Sequence, residues 1–110
     1  MDKNLVQGNV MNFVYEDELI QYMKKTGKKH VLVELVTSDT SDIEIAELYV
    51  HLVDAERAEE FKKKKRYRTK ETEHGEVLLP PMKLQIEDTV TLGLKSFWFI
   101  RYMTYKGIRI

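Results

Sequence analysis

Residues 15–36, YEDELIQYMKKTGKKHVLVELV, place a helix and a strand end to end, and the rest of the chain is read outward from them. Tyr15, Leu19, Tyr22 and Met23 recur at i, i+4, i+7 and i+8, and Ile20 widens the stripe, so Glu16–Thr26 is expected to be an amphipathic helix. Glu16, Asp17 and Glu18 sit where the helix dipole favours anions, and Lys24 and Lys25 where it favours cations. Gly27 follows as the left-handed stop. His30–Val36 is too short and too β-branched for a second helix, which predicts a strand with Val31, Val33 and Leu35 facing the core.

The 110 residues carry 18 Lys+Arg against 18 Asp+Glu, 43% hydrophobic residues and no cysteine. A chain of this size buries roughly two-thirds of its unfolded surface, enough for one soluble domain without staples. Lack of cysteine excludes disulfide scaffolds, thiolate zinc sites, cysteine-ligated iron–sulfur clusters and cysteine nucleophiles. The longest apolar run, Phe97–Ile100, is far below the ~20 residues of a membrane helix, and no leader pattern precedes Met11. The expectation is a cytoplasmic protein without a membrane partner. Residues 1–10 show no periodicity and read as a mobile tail, leaving 11–110 as the domain.

Upstream of the helix, Val10–Val14 is a short strand candidate. After His30–Val36, Thr37–Asp42 is a polar loop without an apolar residue. Ile43–Val53 is ambiguous: the favoured reading is a strand over Glu47–Val53 and a turn at Asp54–Glu60. Ile45, Leu48, Tyr49 and Leu52 also fit a helix that continues through Ala55–Lys65. Phe61–Thr69 then reads as an exposed strand, Glu71–Gly75 as a turn, and Glu76–Leu79 as a strand ended by Pro80 and Pro81. Leu84 and Ile86 mark a brief strand, and Thr89–Leu94 another. Lys95–Tyr105 reads as a central strand, or one completed by a partner chain, because large apolar groups occupy both of its faces. Lys106-Gly107 turns into a final edge segment, Ile108–Ile110. The sum is an α+β domain, mainly β, with one N-terminal helix packed on a twisted mixed sheet.

The start MNFVYEDELIQYMKK, the strand VLVELV, and the tail GEVLLPPMKLQIEDTVTLGLKSFWFIRYMTYKGIRI resemble, in order and spacing, the HesB/IscA-like superfamily, and within it the CC/Se-motif branch. The resemblance covers nearly all of residues 11–110. It implies a small domain of twisted sheet, and, for members with intact cysteines, iron–sulfur cluster assembly or iron binding. The branch's reactive pair falls in the loop that is here Thr37–Asp42, and the carrier cysteines near Met103–Gly107. Neither stretch holds a thiol, the soft ligand that clusters require, so the implied cluster chemistry reaches no residue of this chain. No cofactor is expected.

Oxygen ligands at Asp39, Asp42 and Glu44, with Thr40 and Ser41, lack the glycine and bidentate Glu of a calcium loop and read as a solvated turn. His30, His51 and His74 form no ligand motif. Ser38, Ser41 and Ser96 lie in no nucleophile elbow, no phosphate loop occurs, and the pairs Glu16/Asp17 and Glu59/Glu60 read as helix start and turn. No catalytic or metal residue is nominated. Two surfaces remain. Lys62, Lys64, Arg66 and Arg68 on one strand face, with Tyr67 available to stack, would suit an anion or nucleic acid, although lysines also protect an edge strand. Trp98 and Tyr102 are candidates for self-association, as a homodimer, or for an unidentified protein partner. The expected function is therefore a non-enzymatic accessory or interaction module.

Overall fold

The computed structural model describes residues 12–39 and 43–110; the tail at 1–10 and the loop residues Thr40, Ser41 and Asp42 lie outside them. Nine elements follow one another: β1 (Asn12–Tyr15), α1 (Asp17–Thr26), β2 (His30–Asp39), β3 (Glu44–Val53), α2 (Ala55–Lys64), β4 (Arg68–Thr72), β5 (Gly75–Leu79), β6 (Gln85–Phe97) and β7 (Ile100–Arg109). Strands dominate, in two mixed sheets ordered β1-β6-β7 and β3-β2-β5-β4.

The helix α1 starts after Glu16 and stops at Gly27, whose φ of 76° lets its N–H reach the Met23 carbonyl at 2.8 Å. Leu19 and Met23, four residues apart, enter the main core beside Val31, Val33, Leu48, Val50, Val77, Val90 and Leu92, which come from both sheets. The alternate residues of β2 and β5 point the other way, where Leu32 and Leu78 meet Ala58 and Phe61 of α2, with Val53 and Tyr67. The centre of the four-stranded sheet is thus covered on both faces. That explains why Val31-Leu32-Val33 is an unbroken apolar run and not an alternation.

Several expectations are corrected. The described residues form two helices, not one: Asp54–Glu60 is no turn, and the residues from Phe61 to Lys64 are not a strand. They form α2, capped by Asp54, whose Oδ1 accepts from the Arg57 N–H at 2.9 Å. The extended alternative for Glu47–Val53 holds, and β3 begins earlier, at Glu44, in unbroken antiparallel register with β2. Thr37–Asp39 extend β2 and are not part of a polar loop. Glu71 and Thr72 belong to β4, leaving the turn to Glu73 and His74. At Gly75 φ is +145°, and a Cβ would lie 2.1 Å from the Lys29 carbonyl oxygen, so only glycine fits there.

Residues 85–97 form one strand, not two short ones, with a register shift between Ile86 and Thr91. Lys106 and Gly107 lie inside β7 and make no turn. Most consequential, Lys95–Tyr105 is not a central strand. It folds back on itself, Phe97 pairing with Ile100 across a two-residue turn of Trp98 and Phe99. Two strands and a turn have more surface than their neighbours can cover, and β1 pairs only with Thr89–Leu92 of β6. Beyond that register the ribbon has no third strand among the described residues. No helix among the described residues is long and apolar enough to cross a membrane.

Candidate functional site

The basic run does not form a cationic face with a stacking tyrosine. Lys62 leaves α2 toward the sheet, its Nζ 2.9 Å from Glu76 Oε2 and 3.5 Å from Glu59 Oε2. Lys63 pairs with Glu59 at 3.5 Å, and Lys65 lies over the Phe61 ring at 4.6 Å. Tyr67 is buried edge-on against Phe61, and its hydroxyl oxygen accepts the Leu35 N–H at 3.0 Å. Burial raises its pKa, so the hydroxyl stays neutral. Lys64, Arg66 and Arg68 remain exposed at the end of α2 and the start of β4, Arg68 reaching the Met82 carbonyl at 3.5 Å.

Glu76 was not singled out by the sequence, yet it is the buried charge of the molecule's described part. It sits at the head of β5 opposite His30, whose Nδ1 is 2.7 Å from Glu76 Oε2. Burial by itself pushes its carboxyl pKa up, but the Lys62 and His30 hydrogen bonds outweigh that and hold it below the usual carboxylate range. Lys62 is raised in turn, chiefly by its bond to Glu76. Two charges stabilised in their ionised forms make a clamp that ties α2 to the sheet, not a group poised to exchange protons at neutral pH. A lone glutamate heading the apolar stretch Val77-Leu78-Leu79 is the signal that marks it.

The other histidines are dispersed. His51 Nε2 lies 2.9 Å from Glu34 Oε1, and His74 stands 3.2 Å from Glu73, its ring edge-on to Tyr15. Among the described residues no three metal-ligating side chains converge. Ser38 lies in β2 and Ser96 in β6, Glu16 and Asp17 begin α1, and Glu59 and Glu60 lie on α2.

What the fold leaves uncovered is the end of the β6–β7 ribbon. Residues 95–102 are all exposed, including Phe97, Ile100 and Tyr102; Trp98 keeps 80% and Phe99 97% of its surface in water. Trp98 has φ of 58°, whereas Phe99 is not in the left-handed region. That pattern suits a hairpin whose first turn residue is glycine, and a bulky side chain there is strained. Phe97 and Trp98 meet edge-to-face at 6.2 Å, and both stay mostly in water. Beside the ribbon, an open groove of about 440 Å³ separates β7 from β3; Tyr22, Lys28, Tyr49, His51, Arg101 and Tyr102 are among its walls. Arg101 stacks over Tyr22 at 5.4 Å. The two self-association candidates thus share one end of the molecule, Trp98 at the tip and Tyr102 on the third rung below it.

Compared with protein-family models, characterised proteins and solved structures, the chain matches none.

Proposed function

We propose that this chain is a non-enzymatic accessory or interaction module, related to HesB/IscA-like proteins but without cluster ligands, and that its contact element is the β6–β7 tip. One observation carries the reading: four adjacent large apolar residues, Phe97, Trp98, Phe99 and Ile100, occupy an exposed turn. Folding alone favours Asn or Gly in such a turn, so both the left-handed Trp98 and the apolar area oppose stability and solubility. Cost at a specific exposed spot is what a contact surface looks like. The anion-binding reading of Lys62, Lys64, Arg66, Tyr67 and Arg68 has less support, because Lys62 is neutralised by Glu76 and Tyr67 is buried.

A photo-reactive benzoylphenylalanine replacing Phe99, compared with the same probe at Lys64, tests the assignment in cells. Adducts concentrated at position 99, to any partner, are the expected outcome. Equal or greater crosslinking from position 64, particularly to nucleic acid, would sink it.

A further inference from the structure

Resting on the tip as contact element, we propose that its occupant is an anionic lipid surface. Phe97, Trp98, Phe99 and Ile100 enter the interface while Lys95, Arg101 and Lys28 face the headgroup phosphates.

Charge is the first argument. The whole chain is neutral, but residues 89–110 contain Lys95, Arg101, Lys106 and Arg109 and no Asp or Glu. The groove that opens beside the ribbon adds Lys28 to Arg101, and its His51 is paired with Glu34. Glu16 lies against Gly93, at the base of the ribbon. An apolar tip whose adjoining strand residues, 89–97 and 100–110, carry cations and no Asp or Glu complements a surface that is negative outside and apolar within.

Spacing is the second. Phe97 pairs with Ile100, Ser96 with Arg101 and Lys95 with Tyr102. At about 3.3 Å per residue, the cations trail the last apolar pair by roughly 3–7 Å. Interfacial segments bury their apolar side about 5–10 Å into the headgroup boundary, so the cations come to rest among the headgroups. Trp98 and Tyr102 belong to the residue types that settle at that level.

Shape and symmetry disfavour a second copy as the occupant. A two-stranded tip is convex, and a convex apolar surface meets a fluid bilayer without needing a matching socket. Tip-to-tip pairing of two chains sets Lys95 and Arg101 of one against those of the other, while the ribbon's acidic residues, Glu87 and Asp88, lie at its far end beside Arg109. A membrane partner was not expected from the sequence because no segment is long enough to span; insertion from one side needs no spanning segment.

Trp98 is the only tryptophan of the chain, so the tip carries its own probe. The intact protein is mixed with vesicles of phosphatidylcholine alone, or with about a third phosphatidylserine, and followed by co-sedimentation and Trp98 emission. Expected are binding to the anionic vesicles, a blue shift of Trp98, and quenching by brominated acyl chains. Lys95→Gln should weaken binding about fivefold, as one interfacial cation does. Phe97→Ser with Ile100→Ser should abolish it while thermal unfolding is unchanged. Unshifted Trp98 emission at saturating anionic lipid overturns the proposal. If the position-99 crosslinker then captures a protein, including a second copy detected by sedimentation equilibrium, the lipid assignment fails and the tip reading survives. If it captures nothing, both fail.

Discussion

Two apolar runs in this chain meet opposite fates. Val31-Leu32-Val33 in β2 is fully buried, its odd members against the second sheet and Leu32 against α2. Phe97-Trp98-Phe99-Ile100 carries larger side chains and stays mostly in water. Both runs lack alternation, and lack of alternation means only that no side is committed to water. Whether cover arrives depends on neighbours. β2 lies between β3 and β5 with α2 above it, whereas the ribbon outruns β1 at Leu92.

The contrast can be tested first by cavity formation. Phe61→Ala, on the α2 side of the covered run, should cost about 3–5 kcal/mol, whereas Phe97→Ala should stay within about 0.5 kcal/mol. Urea unfolding measures both, and similar losses at the two sites would mean the tip is packed after all.

A smaller effect lies in the clamp that holds α2 down. Glu76→Gln keeps the shape but weakens the bonds to Lys62 and His30, for about 1–3 kcal/mol. Because the folded carboxyl titrates below its unfolded value, its contribution is complete above about pH 4–5 and is lost as pH falls through the folded pKa. Lys62, raised by the same contact, contributes below its ordinary range and loses that contribution as pH rises through its folded value. Thermal unfolding across pH should show a shallower acid limb in Glu76→Gln than in wild type; parallel curves would mean the clamp contributes nothing to stability.

The smallest change is expected at the turn. Trp98→Gly relieves the positive φ, usually worth about 1 kcal/mol, and loses the edge contact to Phe97, about 0.5–1.5 kcal/mol. The melting temperature should therefore hardly move. A large drop would show that Trp98 packs on the domain and would erase the difference between the two runs.

Much of the first half was legible because its signals agree. In α1 the apolar spacing, the acidic first turn, Lys24 and Lys25 and the Gly27 stop all point one way, and β-branching marks β2. α2 was obscured by its sparse apolar content: only Ala58 and Phe61 are buried, too few to show a period beside Lys62, Lys63 and Lys64. The overlooked signals were Asp54 as cap and ten residues of mostly strong helix formers, acidic early and basic late. The tip was legible as composition but not as geometry. Trp98-Phe99 carries none of the usual turn residues, so nothing local marks the hairpin. In the candidate basic site, lysine content was visible, but the partner that neutralises Lys62 lies fourteen residues away in β5.

By itself, the sequence determined an α+β chain without thiol chemistry, the bounds of α1 and the extended state of β2, since these follow from side-chain period, capping and composition within a few turns of backbone. Only the tertiary structure decided which apolar residues find cover, which lysine is spent on Glu76, and that Phe97–Ile100 protrude. Those outcomes depend on which distant strands and helices arrive beside a residue, and local periodicity carries no record of them.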